Sequence, residues 1–168
     1  SQILQSKIWE GKMFPKPEIS AKAYLAADLQ NGFVFLEKNA NLILPVASLT
    51  KLMTALVASE YSLLSPNQEM AALIKITPAM IAPIGENQNI KVGKKFSYLE
   101  LFYPTLITSS NDAAESLAIS QNKKSFIKFM NERARSLEMN NTYFVDAYGL
   151  DENNVSTAED LFYLAKYL

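Results

Sequence analysis

The stretch Pro45-Val-Ala-Ser-Leu-Thr-Lys-Leu-Met-Thr-Ala-Leu-Val57 decides how this 168-residue chain is read. A proline and small residues lead into Ser48, and an apolar helical run follows. Lys51 stands three residues after Ser48, so on a helix starting near Ser48 the two side chains share one face, a turn apart. In that arrangement an amine can take the proton of a hydroxyl, which makes a candidate nucleophile and base without histidine. Ser-x-x-Lys recurs at Ser120/Lys123 and Ser125/Lys128, so the tetrad alone carries little. The surroundings single out the first. Leu49, Leu52, Met53, Ala55, Leu56 and Val57 make its helix apolar nearly all round, as expected of a helix buried in a domain. A lysine one turn into such a helix is partly desolvated, which lowers its pKa from the usual value of about 10.4 toward that of a useful base. Ser48, at the helix start, lies near backbone N–H donors and the positive end of the helix dipole. The other two pairs sit in polar, lysine-rich sequence and are expected to be solvated.

Composition narrows the chemistry. The length suits one domain or a little more, enough to bury a real core. Sixteen basic against seventeen acidic residues, with no basic run, point away from nucleic acid and from anionic membranes. Zero cysteine excludes disulfides and thiolate metal sites. Zero histidine removes Ser-His-Asp triads, Cys-His pairs and nearly all zinc sites, so a metal centre is not expected. Any nucleophile must then be activated by lysine, a carboxylate or a terminal amine. No apolar run reaches the ~18 residues of a membrane span, and Ser1 to Phe14 holds charges without a signal-peptide core. The chain therefore reads as soluble as made, or as trimmed behind a signal or anchor.

Taken in order, residues 1–20 read as an extended lead-in with Pro15 and Pro17, and 21–168 as one catalytic-type domain. Ala21 to Leu29 and Phe33 to Lys38 flank Gln30-Asn31-Gly32, which predicts an antiparallel hairpin through an Asn-Gly turn. The Ser48 helix should run to about Leu64 and break at Ser65-Pro66-Asn67. Ile74 to Ile76 reads as a short strand, and Thr77-Pro78 as the start of a helical turn. Gly85 to Lys95 reads as a polar loop with an extended piece over Asn89 to Val92. Ser97-x-x-Glu100 is a capping box opening a helix to about Thr108, with a kink expected at Pro104. In Thr108-Ser-Ser-Asn-Asp112 a tight link should join that helix to another beginning at Asp112. Small hydroxyl and amide side chains on such a link suit a site, although Ser-x-Asn also occurs at Ser65/Asn67 and Ser120/Asn122. Ser125 to Met139 is an amphipathic helix with Phe126, Phe129, Met130 and Leu137 on its core stripe. Tyr143 to Val145 reads as extended and Gly149 to Asn154 as loop. Ser156-x-x-Glu159 reads as a second capping box for a helix reaching Leu168.

Three segments together carry a family resemblance. Pro45 to Val57, Ser109-Ser-Asn-Asp-Ala-Ala, and the tail Met130-Asn…Thr142-Tyr-Phe-Val-Asp-Ala-Tyr-Gly149-Leu…Ser156-Thr-Ala-Glu-Asp160 resemble the serine D-Ala-D-Ala carboxypeptidases, the low-molecular-mass penicillin-binding proteins of peptidase family S11. The likeness runs from about Ala21 to Leu168. It implies an α/β (α+β) domain of the β-lactamase/transpeptidase-like fold, a helical cluster with an N-terminal antiparallel hairpin and a central sheet incomplete in this chain. It implies that Ser48 attacks the carbonyl between two terminal D-alanines of a peptidoglycan stem peptide, that Lys51 accepts its proton, that Ser109 relays a proton to the leaving amine, and that Asn111 hydrogen-bonds the substrate. β-Lactams would acylate Ser48, no cofactor would be needed, and the protein would work outside the cytoplasm.

One departure stands out. In that family a Lys-Thr-Gly strand follows the helix at which this chain stops, and none is present here. The strand implied by the family carries the second oxyanion donor and pairs with the N-terminal hairpin. An unpaired hairpin would offer its edges to another chain. The expectation is therefore a strand-mediated homo-oligomer, a bound missing fragment, or further chain. Ser110 stands where the family usually has glycine or another small residue. Rival readings are a class A β-lactamase, a DD-endopeptidase, and a non-catalytic peptidoglycan- or partner-binding domain. The first needs a Glu-x-x-x-Asn after the Ser-x-Asn element. The one instance here, Glu37/Asn41, precedes Ser48.

Overall fold

The computed structural model describes residues 17–64, 71–81 and 90–168, with the side chains of Leu63 and Leu64 left aside. The break at Ser65-Pro66-Asn67, the start of the Gly85 loop and most of the lead-in lie outside the described residues.

The hairpin forms as β1 (Tyr24–Ala27) against antiparallel β2 (Val34–Lys38), with a bulge between Ala26 and Ala27. Its loop is longer than a two-residue Asn-Gly turn. Asp28 takes it over: its carboxylate accepts from the N–H of Gln30 and Asn31, and its carbonyl accepts from Gly32. Only Gly32 of the Asn-Gly pair takes a positive φ, 73°. Among the described residues the β1–β2 ribbon has two strands, so its outer edges carry no strand partner.

β3 (Leu44–Pro45) enters a 3-10 turn over Ala47–Leu49, which passes into α1 (Thr50–Leu64). β4 (Leu73–Lys75) pairs antiparallel with β5 (Lys95–Ser97). β5 corrects the loop expected there: extension begins at Lys95, after a turn in which Lys94 N bonds Lys91 O and Gly93 takes φ 84°. Ser97 then ends the strand and caps α2 (Tyr98–Ile107) through the expected reciprocal bonds with Glu100. α2 runs on through Pro104.

α3 (Asn111–Ser120) starts one residue earlier than expected, because Ser110 is its cap and accepts from Ala113 N at 3.2 Å. α4 (Lys123–Ser136) is capped by Asn122, and its stripe is core as expected: Phe126 and Met130 are fully buried. β6 (Val155–Ser156) pairs with β3. The final helix, α5 (Ala158–Tyr167), is capped by Thr157, not Ser156. Ser156 is already committed to β6, and its hydroxyl meets Thr142 Oγ1 at 2.7 Å.

α1 is the centre of the helical cluster. Met53, Val57 and Ala58 are buried in one core with Leu101 of α2, Leu117 of α3, Phe126 and Met130 of α4, and Leu164 of α5. Side chains of this size each stabilise by about 1.5–3 kcal/mol on full burial. Tyr61 stacks on Phe126 and meets Phe129 edge-on, while Arg133 of α4 pairs with Glu60 of α1 and lies over the Tyr167 ring of α5. A rigid α1 is what fixes Lys51, the second residue of the helix.

Candidate active site

The nucleophile position is made by the change from 3-10 turn to α-helix. Ala47 takes a left-handed φ of 45°, a conformation that costs a non-glycine residue about 1 kcal/mol or more. That kink turns Ser48 outward, and its side chain is exposed. Lys51, in the first turn of α1, is 2 % exposed. Its Nζ lies 3.1 Å from Ser48 Oγ and donates to the Tyr148 carbonyl at 2.7 Å. Burial lowers the Lys51 pKa from the ordinary lysine value, and the Asp146 carboxylate partly opposes this. The first tetrad thus sets a buried amine, its pKa lowered by desolvation, beside an exposed hydroxyl.

The second wall comes from the α2–α3 link. The Pro104 carbonyl accepts from both Thr108 N and Ser110 N, closing a tight turn. Ser110 is used as the α3 cap, so Ser109 is the residue thrown outward, with φ 57°. Asn111 occupies the first turn of α3, half-buried. Ser48, Lys51 and Ser109 line one cavity of about 420 Å³ together with Leu49, Leu52, Thr105 and Leu106. Asn111, the substrate-binding candidate, begins the helix just behind Ser109 but is not among the residues lining that cavity.

A third segment, Phe144 to Asn154, packs behind the Ser48 turn and Lys51. Asp146 is buried, and its Oδ1 accepts from the N–H groups of Tyr148 and Gly149 while Oδ2 accepts from Asp151 N. Asn154, fully buried, accepts from Val145 N and Asp146 N and offers its backbone carbonyl to Val46 N at 3.0 Å. Gly149, at φ 85°, packs against the nucleophile turn so closely that a Cβ there would run into the Ala47 carbonyl and come within 3.1 Å of Ser48 N. Thr54 Oγ1 donates to the Ala147 carbonyl at 2.6 Å. The 144–154 loop thus holds both the turn before Ser48 and the acceptor of Lys51. Gly149-Leu150 was legible as part of the tail pattern. Asp146 stands in the same tail pattern, but the sequence gives neither Asp146 nor Asn154 a role.

The other tetrads separate clearly. Ser125 and Lys128 are exposed, as expected. Ser120 and Lys123 are not simply solvated: Ser120 meets the Tyr98 hydroxyl at 3.2 Å, and Lys123 forms an ion pair with buried Glu115. Among the described residues no cluster of acidic side chains could hold a metal ion.

With this geometry in place, the chain can be set beside known proteins. A family model described as peptidase S11, D-alanyl-D-alanine carboxypeptidase, matches residues 11–168. The chain belongs to this family. This S11 chain is 37% identical over 148 residues to the D-alanyl-D-alanine endopeptidase of Escherichia coli K12, covering 87% of itself and 46% of that protein. It superposes on the D-alanyl-D-alanine carboxypeptidase DacD of Francisella tularensis with a TM-score of 0.81 at 33% identity, over 90% of this chain and 37% of that one. It superposes on penicillin-binding protein D2 of Listeria monocytogenes in its ampicillin-bound form with a TM-score of 0.76 at 32% identity, over 91% and 63%. The α/β penicillin-binding-protein fold is therefore established. The S11 chain spans about half the length of the curated relatives it matches.

Proposed function

We propose that the protein carrying this chain is a serine D-alanyl-D-alanine carboxypeptidase that trims peptidoglycan stem peptides through an acyl-enzyme on Ser48. One observation carries the reading: a buried amine, lowered in pKa by desolvation, sits 3.1 Å from an exposed serine hydroxyl. Ser48 Oγ bonds to the penultimate D-alanine carbonyl carbon while its proton passes to Lys51. The oxyanion gathers at the N–H of Ser48, near the start of α1. As the intermediate collapses, the C–N bond breaks and Ser109 relays the proton held by Lys51 to the departing amine of D-alanine, leaving Lys51 neutral again. Asn111 holds the substrate amide. Water then cleaves the ester, returning the proton to Ser48. None of these steps calls for a metal or cofactor. A β-lactam enters the same path and stalls at the ester, as the ampicillin-bound relative suggests by analogy.

The substrate places the protein at the cell wall, outside the cytoplasmic membrane. No helix among the described residues is long and apolar enough to cross a membrane. The endopeptidase relatives support a second reading, in which the same acyl transfer cuts a D-alanyl cross-link instead of a terminal residue.

Intact mass after incubation of the full-length protein with benzylpenicillin tests the proposal. The expected result is an adduct of one penicillin mass that Ser48→Ala abolishes. No adduct would favour a non-catalytic binding domain of the same fold, and fast turnover a β-lactamase. Release of free D-alanine from a pentapeptide, against cleavage of a cross-linked dimer, separates the two peptidase readings.

A further inference from the structure

We propose that Asp146 is a positioning residue for the Lys51 base, holding the Tyr148 carbonyl that anchors the amine in line with Ser48. This rests on the acyl-transfer reading above.

A neutral amine that accepts the Ser48 proton has one lone pair and two N–H bonds. Its lone pair must face Ser48 Oγ, so an N–H has to be engaged elsewhere to stop rotation about the Cε–Nζ bond. Tyr148 O does this at 2.7 Å. That carbonyl comes from a residue 97 positions away in a loop without regular structure, and nothing in its own backbone pairing aims it at α1. Asp146 supplies the aim. Its two carboxylate oxygens gather the N–H groups of Tyr148, Gly149 and Asp151, winding the chain around a buried anion. The winding brings Tyr148 O to Lys51 and Gly149 against the Ala47–Ser48 peptide together. Asn154 fixes the near end of the same loop through Val145 N and Asp146 N.

The carboxylate also acts at a distance, since its negative charge favours protonated Lys51 and offsets part of the desolvation. The other charged groups on elements packed against α1 are otherwise engaged or turned away. Glu115 of α3 pairs with Lys123 of α4, Arg133 of α4 with Glu60 of α1, and Lys128 with Glu132. Glu100 of α2 is bound into the Ser97 cap, Asp112 lies in the first turn of α3, and Lys124 and Arg135 are exposed. Asp151 belongs to the Asp146 loop itself and is exposed. Two effects therefore follow from one residue: geometry, which raises the acylation rate, and charge, which raises the pH at which Lys51 becomes a base.

The test uses the full-length protein in wild-type, Asp146→Asn, Asp146→Ala and Asp146→Glu forms. The second-order rate constant for benzylpenicillin acylation is measured across pH, beside a carbon-13 lysine NMR titration of Lys51 assigned with Lys51→Ala. Asp146→Ala should lower the plateau rate by about 10- to 100-fold, the scale of a misplaced catalytic group. Asp146→Asn, which keeps an oxygen for Tyr148 and Gly149, should lose less rate and move both the acid limb and the NMR midpoint to lower pH. Asp146→Glu should keep the wild-type midpoint with a reduced plateau, and serves if the alanine form does not fold. A merely structural role would shrink the labelled fraction and leave the midpoint in place. An unmoved midpoint in Asp146→Asn, or a plateau within threefold of wild type in the other two variants, overturns the inference. Absence of labelling in the wild type would instead overturn the acyl-transfer reading, and the NMR midpoint would still report on Asp146.

Discussion

Ser48/Lys51 and Ser120/Lys123 have the same spacing, and both lysines reach the same residue, Tyr148. Lys51 donates to its carbonyl at 2.7 Å, while Lys123 lies over its ring at 5.6 Å. Their chemistry differs because their neighbours differ. Lys51 is buried with its own serine and a carbonyl, without a direct carboxylate bond, and its pKa falls. Lys123 is half-exposed and ion-paired with Glu115. The second tetrad also straddles a helix end: Ser120 closes α3, Asn122 turns left-handed at φ 69°, and Lys123 opens α4. Ser120 consequently turns to the Tyr98 hydroxyl and its own helix, not to Lys123. Spacing brings a lysine within reach of a serine, and burial without a directly bonded carboxylate is what lowers its pKa.

The largest expected effect breaks the pair apart directly. Lys51→Ala should slow benzylpenicillin acylation by about 10²- to 10⁴-fold, the usual contribution of a general base. Lys123→Ala should leave the rate within about threefold, because Lys123 touches neither Ser48 nor its proton path. Equal losses in both would mean that the Tyr148 ring, not its carbonyl, matters. Next in size is Gly149→Ala. The new methyl meets the Ala47 carbonyl, and φ 85° is strained for any residue with a Cβ. We expect the turn before Ser48 to shift and acylation to fall at least tenfold, with a stability loss of about 1–3 kcal/mol from the strained backbone. Thermal unfolding and labelling on one sample would check both, and an unaffected rate would show that the loop does not set the nucleophile.

Sequence reading reached the local features of this molecule and missed those made over distance. The hairpin, α1, the Ser97/Glu100 box and the core stripe of α4 each depend on residues within a few positions of one another. They were legible for that reason. Ser156-x-x-Glu159 predicts a cap at Ser156, but Thr157, which accepts from Asp160 N, caps α5 instead. Pairing with β3, more than a hundred residues earlier, decided for Thr157. The Ser120/Lys123 pair looked solvated because its sequence is polar, yet Glu115 on the preceding helix is buried and draws Lys123 in. Asp146 and Asn154 are the clearest case. Their partners are backbone amides and carbonyls, which have no sequence signature, and their effect is felt at Val46, Ser48 and Lys51. Ser109, by contrast, is singled out by the family resemblance as the serine of Ser109-x-Asn111. That Ser110 caps α3 is what assigns the outward place to Ser109.

Two smaller tests sharpen the contrast from the structural side. Lys123→Ala leaves the Glu115 carboxylate buried without its cation, and one of its oxygens already lacks a hydrogen-bond partner among the described residues. The expected cost is about 1–3 kcal/mol, below that of a fully buried pair because Lys123 is partly solvated. Chemical denaturation would read it, and Glu115→Gln combined with Lys123→Ala should recover part of the loss.

Ser120→Ala should do least. The Ser120 hydroxyl contributes a bond with Tyr98 Oη at 3.2 Å and one to the Leu117 carbonyl at 2.8 Å. A neutral hydrogen bond nets about 0.5–1.5 kcal/mol, and alanine at the last residue of α3 returns some of that through its helix propensity. Tyr98 also keeps Gln121 as a hydrogen-bond partner, so its buried hydroxyl is not orphaned. The net change should stay within about 1 kcal/mol by denaturation, with the acylation rate unmoved. A tenfold loss of rate in Ser120→Ala would make the second tetrad a participant and undo the separation between the two lysines. An unmoved rate, set beside complete loss in Ser48→Ala, would show that identical spacing yields a nucleophile only where the lysine is buried without a carboxylate bonded directly to it.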